Sequence, residues 1–167
     1  MVEIREVTKD DTQALKEFFL SLSDNAVFNF NHFGKVNEEF LAEHMATNLC
    51  ASPIHERSWV ATEDKGIIGY GFLHFPDKPT QKFTCSLGIV VADAYQHKGV
   101  GRELVAYMIA SARSLRMRKI WLQVYERNVS ATTLYSNLGF RVEGIFNYQE
   151  WDEDKPLTVL SMGKLLI

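Results

Sequence analysis

The size, composition and charge of the chain exclude several classes of protein. It has 167 residues, of which 46% are hydrophobic and 23% charged, so it can bury a proper core in one domain. Its net charge of −3 gives no general attraction to nucleic acid or to an anionic membrane surface. We therefore expect a single domain, residues 1–167, that has neither nucleic acid nor membrane as a partner.

The cysteines and the N-terminal segment indicate a cytoplasmic protein. Cys50 and Cys85 are far apart and form no CxxC pair, which disfavours a disulfide framework. Residues 1–6 lack the apolar core of a signal peptide, and no apolar segment is as long as a membrane span. The five histidines show no pairing at i and i+4, so we expect no metal site.

The first half of the chain mixes extended and helical patterns. Apolar residues alternate with charged ones at the start, and apolar residues then recur at helical spacing. The predicted order is a strand at 2–7, start signals at 8–11 and a helix to residue 22, an Asn- and Phe-rich segment at 25–34, a helix at 37–49, and a hairpin of strands 58–61 and 67–75 around a turn at 63–66.

The second half predicts a crossover followed by a hairpin. The predicted elements are a strand at 83–91, a helix at 100–115, a strand at 119–125, a short helix at 128–137, and strands at 141–148 and 158–165 around an acidic loop at 150–154. The crossover from Val91 to Lys119 should join two parallel strands with a right-handed connection. We expect an α/β (α+β) fold with a mixed, mostly antiparallel central sheet and helices on both faces.

Candidate chemistry concentrates in the segment Gln96-His97-Lys98-Gly99-Val100-Gly101-Arg102, between a predicted strand and a predicted helix. The first N–H groups of a helix have no intrahelical partner and carry partial positive charge, which suits a phosphate. Gly99 and Gly101 lack Cβ atoms and let a ligand approach closely, while Lys98 and Arg102 add full charges. The segment predicts a phosphate site; a plain tight turn before a helix is the alternative.

A dinucleotide site fits this segment poorly. The Gly-x-Gly-x-x-Gly turn needs a third small residue where the helix packs on its strand, and this chain has Leu104 there. The hairpins that precede the turn also differ from a doubly wound sheet. Dinucleotide binding is therefore the weaker alternative.

Two motifs occur together in the second half of the chain. Gln96 to Gly101 fits Q/R-x-x-G-x-G/A after a strand, and Asn128 to Phe140 fits N-x-x-A-x-x-L-Y-x-x-x-G-F after the next strand. With both motifs in this order, the sequence resembles the GNAT superfamily of acetyl-CoA-dependent N-acetyltransferases. The order of the predicted elements is similar to the GNAT fold across nearly the whole chain.

The resemblance implies acetyl-CoA as the co-substrate, bound where the strand before the turn separates from the next parallel strand. Val91 would offer backbone groups to the pantetheine arm and the acetyl carbonyl. Amides of residues 98–102 would hold the pyrophosphate, and Asn128 would contact the arm. The implied cofactor-binding residues are Val91, Gln96, His97, Lys98, Gly99, Val100, Gly101, Arg102, Asn128 and Tyr135.

Tyr135 is the residue to which the resemblance assigns a catalytic role, facing the thioester sulfur. A phenol with a pKa near ~10 is neutral at pH 7 and can donate a hydrogen bond to a departing thiolate, whose thiol has a pKa near ~8.5. Full proton transfer would be uphill by ~2 kcal/mol, so we expect Tyr135 to act first as a hydrogen-bond donor and only second as an acid. The alternative is a core aromatic side chain on the apolar face of its helix.

The group that removes the proton from the amine is open. Family members often carry a glutamate on the strand before the phosphate turn, whereas strand 83–91 of this chain has no carboxylate. Glu63, His74, Glu126 or a chain of water molecules are the candidates.

Two groups of side chains hint at the acceptor. The aromatic group lies within the Asn-rich segment, which in this family commonly borders the acceptor site. An equal alternative is that these side chains cap the core. The acidic group belongs to the predicted loop between the last strands and would attract a cationic amine or form an ordinary solvated turn. The aromatic residues are Phe28, Phe30 and Phe33, and the acidic ones are Glu150, Asp152, Glu153 and Asp154.

The leading functional hypothesis is an N-acetyltransferase that moves an acetyl group from acetyl-CoA to a primary amine, either a small metabolite or a peptide amine. The alternative is a non-catalytic acyl-CoA-binding regulatory module, which the missing strand carboxylate leaves open. The sequence does not name the acceptor, and it leaves a homodimer open as well.

Overall fold

The computed structural model describes residues 1–30, 55–64 and 66–167. The predicted helix at 37–49, together with Phe33 and Cys50, lies outside these described residues. No helix in the described ranges combines the length and the apolar character needed to span a bilayer. The strands are β1 (Glu3–Glu6), β2 (Glu56–Glu63), β3 (Gly66–His74), β4 (Thr84–Val91), β5 (Lys119–Tyr125), β6 (Arg141–Asp152) and β7 (Lys155–Leu165), and the helices are α1 (Thr12–Leu20), α2 (Asp24–Phe30), α3 (Val100–Ser114) and α4 (Val129–Asn137).

The described residues form a seven-stranded sheet in the order β1-β2-β3-β4-β5-β7-β6. Neighbouring strands are antiparallel except β4 and β5, which are parallel and joined through α3. The predicted mixed, mostly antiparallel sheet with one strand–helix–strand crossover is therefore confirmed. This topology puts the C-terminal ends of β4 and β5 side by side, where each strand leads into a helix.

Helices cover both faces of the sheet because side chains alternate between the faces along each strand. On one face, Leu104 and Met108 of α3 pack with Ile120 of β5 in the larger apolar cluster. On the other face, Phe19 of α1 packs against Tyr70 of β3. We call these faces the α3 side and the α2 side. The arrangement confirms the prediction of helices on both faces.

The Asn- and Phe-rich segment, to which the sequence assigned no helix or strand, contains α2. The Ser23 hydroxyl accepts a hydrogen bond from the Ala26 amide at 3.2 Å, as a helix cap does. The same hydroxyl donates to Asp93 at 2.7 Å, and the Ser23 amide donates to the second oxygen of Asp93 at 3.1 Å. A carboxylate 70 residues further along the chain thus holds the start of this helix.

The expected acidic loop is mostly strand. β6 continues to Asp152 and β7 begins at Lys155, so Glu150 and Asp152 lie on β6 and the turn is short. The register shifts between Asn147 and Glu150, and Tyr148 adopts a positive φ of 59° there. This irregularity lets pairing resume beyond the predicted strand end, where a buried Leu157 opposes Glu150.

Candidate active site

A deep cleft opens between β4 and β5. Among the described residues the two strands pair only from Thr84 to Ser86, opposite Lys119 to Trp121, although β4 stays paired with β3 as far as Val91. The gap between the strands belongs to a cleft of about 990 Å³, which is within the range of small-molecule sites. The separation of these strands, which the resemblance implied, is thus present in the structure.

The cleft passes through the sheet, so it has a wall on each side. Leu87 points to the α3 side of β4, where it joins the larger apolar cluster. Ser86, Gly88 and Val90 alternate with it and point to the α2 side. All four residues line the cleft. A ligand that enters over α3 can therefore meet a second ligand that enters over α2, at β4.

The backbone of Val91 faces the cleft. The Ala92 amide donates to the Ile68 carbonyl at 2.9 Å, and Val91 lies opposite Gly69. In an antiparallel pair this pattern directs the N–H and C=O of Val91 away from β3 and toward β5. The Val91 carbonyl accepts a hydrogen bond from Gln96 Nε2 at 3.2 Å. Gln96 therefore fastens the end of β4, while the Val91 N–H has no strand partner in this described region.

The turn before α3 has the backbone geometry of an anion site. Gly99 is the residue before the helix and has a left-handed φ of 92°, which glycine adopts without the steric cost of a side chain. His97, two residues earlier, has a φ of 59°. The first helical hydrogen bond runs from the Glu103 amide to the Gly99 carbonyl at 3.1 Å. The amides of the three residues between them have no intrahelical partner.

The predicted phosphate residues divide into those that line the cleft and those whose side chains do not. Gln96, His97, Gly99, Gly101 and Arg102 line the cleft.

Two other side chains of the same turn point elsewhere. Val100 is 3% exposed and packs in the apolar cluster on the α3 side. The Lys98 ammonium lies 5.3 Å from the centre of the Tyr95 ring. Any contact of Val100 with a phosphate would therefore come from its backbone amide, and the charge of Lys98 at the phosphate stays a prediction.

Asn128 begins α4 and lines the cleft. Its side-chain oxygen accepts a hydrogen bond from the Ala131 amide at 3.2 Å, as a helix cap does. The side-chain carbonyl is thereby held in place. The side-chain NH₂ group is left to donate to a ligand, because an asparagine amide has two further donors.

Tyr135 lies on α4 with its side chain buried, at 6% exposure, and lines the cleft. Its ring packs edge-to-face on Phe140, with the ring centres 5.7 Å apart. Burial raises the pKa of the phenol, so the hydroxyl stays protonated at neutral pH. Within the described part of the chain it donates to no other side chain. The hydroxyl is therefore a free donor at the wall of the cleft.

The three candidate bases differ in their distance from the cleft. Glu63 ends β2 and lies 3.7 Å from the N-terminal amine, and Glu126 is exposed beyond β5. His74 lies opposite Ser86, which is a cleft residue, on the α2 side. Partial burial, with a smaller effect of His55, lowers the pKa of His74, so its ring is neutral at pH 7. No carboxylate of the described residues lines the cleft.

The aromatic residues of α2 serve two purposes. Phe30 lines the cleft and also contacts Tyr70 edge-to-face, at 6.2 Å between ring centres. Phe28 stacks on Tyr125 of β5 at 5.2 Å. Phe30 thus packs in the core as one expectation had it and also lines the cleft, while a border to the acceptor stays a prediction and Phe33 lies outside the described residues.

Sequence reasoning missed the polar wall on the α2 side of the cleft. The amides of Asn25 and Asn29 on α2 face Gln123 of β5 across it, and Arg127 lies at its end. Alternation along β5 could have singled out Gln123, a polar residue among apolar neighbours. Nothing local predicts that Arg127 reaches this wall.

Sequence reasoning also missed a half-buried carboxyl on the same face. Glu56 Oε1 lies 3.4 Å from the Ser58 hydroxyl, which in turn lies 3.0 Å from the Tyr70 hydroxyl. Burial raises the pKa of Glu56 to about 7, and the bonds with Ser58 and Tyr70 oppose that rise only in part. Two strand spacings, or about 10 Å, separate Glu56 from β4.

Comparison with known proteins places these features in a family. The model of the acetyltransferase (GNAT) family matches residues 22–140. An uncharacterised N-acetyltransferase of Bacillus subtilis (strain 168), YycN, is 31% identical over 109 residues, which are 62% of this chain and 69% of that protein. The L-amino acid N-acetyltransferase AaaT of Escherichia coli (strain K12) is 27% identical over 104 residues, covering 62% of this chain and 64% of the relative.

A solved structure shows the same fold over the full length of the chain. The structure of yncA from Salmonella typhimurium, described as a putative acetyltransferase with its cofactor acetyl-CoA, superposes with a TM-score of 0.81. The match covers 100% of this chain and 95% of that one at 22% sequence identity, so the likeness is one of fold.

Proposed function

The chain belongs to the GNAT family of acetyltransferases and is an acyltransferase, and from this premise we propose that it transfers an acetyl group from acetyl-CoA to a primary amine. The observation that carries the proposal is the cleft between β4 and β5, with the start of α3 on one wall and a polar wall over α2 on the other. The acceptor is a small metabolite or a peptide amine.

The phosphates of acetyl-CoA fit the start of α3. Three unpaired amides and the positive end of a helix dipole meet there, and Arg102 adds a full charge at the cleft. An atom added as Cβ on Gly99 would meet no heavy atom of the described residues within 4 Å, so the backbone is open to a ligand. Asn128 would donate to the pantetheine arm from the start of α4, across the gap from β4.

The Val91 N–H is suited to hold the acetyl carbonyl. Acetyl-CoA supplies a thioester whose carbonyl oxygen gains negative charge when the amine attacks. A fixed N–H donor that faces the cleft stabilises such charge without having to reorganise. This N–H shares its peptide group with the Val90 carbonyl, so the pairing of Val90 with Tyr70 of β3 sets its orientation before the ligand binds.

Tyr135 is suited to donate a hydrogen bond to the departing thiolate. Its raised pKa keeps the proton on the phenol throughout the neutral range, so its role is to stabilise the leaving group rather than to transfer a proton outright. Thiolate charge would develop beside a donor that has no competing side-chain partner among the described residues.

The amine must lose a proton before it attacks. An alkyl amine with a pKa near ~10.4 pays ~4.6 kcal/mol to be neutral at pH 7. His74 lies opposite Ser86, five residues or about 16 Å along β4 from Val91, so its ring is too far from the acetyl position to take the proton through one water molecule. Glu126 precedes Arg127, which lines the cleft, and Glu63 lies beside the N-terminal amine. We therefore assign removal of the proton to a chain of water molecules.

Acceptor-dependent release of coenzyme A tests the proposal. The purified protein is mixed with acetyl-CoA and a panel of amines, and free thiol is measured against a sample without amine. Release that rises with acceptor concentration supports the transferase. Tight binding of acetyl-CoA with no release of coenzyme A in the presence of any amine would favour the regulatory acyl-CoA-binding module instead.

A single domain over residues 1–167 and a cytoplasmic location stay predictions of the sequence, and a homodimer stays open.

A further inference from the structure

Arg127 is the cation on the acceptor wall of the cleft. It follows β5, and its guanidinium lies 4.6 Å from the centre of the Phe28 ring of α2 and 5.8 Å from that of Tyr125. It also lines the cleft. Arg102, the other arginine that lines the cleft in the described chain, belongs to the start of α3, on the proposed phosphate side. Arg127 is therefore positioned for a different ligand from the one at α3.

The guanidinium of Arg127 is held in place but retains donors. Its Nη1 donates to Asp152 at 2.8 Å, and the two aromatic rings pack against its plane. A guanidinium has five N–H donors, and one is used in this way among the described residues. The side chain is 47% exposed, so the remaining donors are accessible from the cleft. A fixed fork of donors binds a planar carboxylate at two points.

Arg127 and the proposed acetyl position lie at the same end of the cleft. Ser86 of β4 is directly opposite Trp121 of β5. Val91 is five residues beyond Ser86, and Tyr125, the last residue of β5, is four residues beyond Trp121. Arg127 lies in the turn that follows, which is closed by the Asn128 amide on the Tyr125 carbonyl at 2.9 Å. Val91 and Arg127 are therefore both at the C-terminal ends of their strands, on opposite sides of the gap.

The wall lacks the groups that a simple cationic amine would need. No described carboxylate lines the cleft, and the lining side chains near Arg127 on α2 are the neutral amides Asn25 and Asn29. The nearby acidic groups are engaged: Glu150 accepts a hydrogen bond from Tyr125 at 2.5 Å, and Asp152 pairs with Arg127. Arg127 is thus the charged side chain that lines the cleft on this side in the described part of the chain, so an acceptor that carries only an ammonium group would find no lining carboxylate to pair with.

We propose that the acceptor is an amine that also carries a carboxylate or a comparable anionic group within a few bonds of the nitrogen, and that Arg127 binds this anion. The inference rests on the proposed function, because it assigns the acceptor of the same cleft. The anion on Arg127 orients the amine toward the Val91 side of the gap, and the amides of α2 supply further donors. Arg127 is a specificity-determining residue and takes no part in proton transfer.

Matched pairs of acceptors test the inference. An α-amino acid, its methyl ester and the corresponding amine without the carboxyl group are compared by kcat/KM for coenzyme A release. For the wild-type protein we expect the free acid to be preferred over the ester by about tenfold or more, as one charge-assisted pair allows. In Arg127→Gln this preference should fall to near one, through a higher KM for the acid with the ester unchanged. Arg127→Lys should retain part of the preference.

Arg57→Gln is the matched control. Arg57 also pairs with a carboxylate, Glu6 at 2.8 Å, and also lies over an aromatic ring, Trp59 at 5.7 Å, yet it does not line the cleft. Its replacement should leave the acid-to-ester ratio unchanged. Equal use of acid and ester by the wild type, or equal loss of both in Arg127→Gln, overturns the inference and leaves the transferase standing. Failure of all acceptors overturns the proposed function and this inference with it.

Discussion

Tyr135 combines a buried ring with a hydroxyl that can donate a hydrogen bond, as the amphipathic side chain of tyrosine allows. It is buried against Phe140, as a core residue is, yet its hydroxyl reaches the wall of the cleft. Both sequence expectations for it, core aromatic and hydrogen-bond donor, are therefore compatible with its position. Since the ring supplies the packing and the hydroxyl supplies the donor, a substitution that removes only the hydroxyl separates the two.

Replacing Tyr135 with Phe should lower kcat by about 10- to 100-fold, because one donor to developing charge is lost. Affinity for acetyl-CoA should change by less than about threefold, since the ring and its packing remain. Steady-state kinetics and calorimetric titration with acetyl-CoA measure the two quantities. Tyr107→Phe, on the exposed face of α3, is the control. A turnover equal to that of the wild type would remove Tyr135 from the chemistry.

Glu56 is expected to make stability depend on pH. Its pKa is about 7 in the folded protein, against 4.5 for an ordinary glutamate, because burial disfavours the charged form. The folded state therefore holds the proton more tightly, and the contribution is fully favourable below pH 4.5 and is lost as pH rises toward 7. The loss is at most about 3 kcal/mol.

Replacing Glu56 with Gln should remove most of that dependence. We expect the variant to gain about 1–3 kcal/mol in free energy of unfolding relative to the wild type when pH is raised from 5 to 8, measured by urea unfolding. Glu153→Gln, in the exposed turn after β6, should leave the profile as it is. Parallel profiles for Glu56→Gln and the wild type would mean that the carboxyl is as well solvated in the folded state as in the unfolded state.

At the scale of elements, the turn into α3 was predictable and the start of α2 was not. The turn follows local rules, because Gly99 and Gly101 allow the backbone geometry and the helix dipole gives the start of α3 a partial positive charge. The start of α2 depends on Ser23, whose hydrogen bonds go to Asp93, a residue distant in sequence. A sequence pattern over neighbouring residues does not predict such a long-range hydrogen bond.

The two glycines of the turn should respond differently to alanine. Gly99 has a φ of 92°, so Gly99→Ala should cost about 1 kcal/mol of stability and weaken acetyl-CoA binding about tenfold as the turn relaxes. Gly101 lies within α3, and an added Cβ would lie 3.4 Å from Leu134, an ordinary contact. Gly101→Ala should therefore keep the wild-type stability within about 0.5 kcal/mol. Thermal unfolding and calorimetric titration would measure both effects, and equal losses in the two variants would contradict this assignment.

For the whole molecule, the sequence predicted the sheet and the α3 wall of the cleft better than the α2 wall. The α3 wall includes one continuous segment, from Val91 to Arg102, whose motif can be recognised in the sequence. The α2 wall joins Asn25 and Asn29 of α2 with Gln123 and Arg127 around β5. These residues come together only through the packing of α2 on the sheet, which depends on long-range contacts that a sequence pattern does not contain.

The central claim is that the cleft between β4 and β5 binds acetyl-CoA through the start of α3, and calorimetric titration of the purified protein tests it most directly. The account predicts binding of both acetyl-CoA and free coenzyme A with one site per chain, and weaker binding as salt is added, because the phosphates meet partial and full positive charges. It also predicts that NADH does not compete. If neither acetyl-CoA nor free coenzyme A released or absorbed heat on titration, or if NADH bound in their place, the result would contradict the claim.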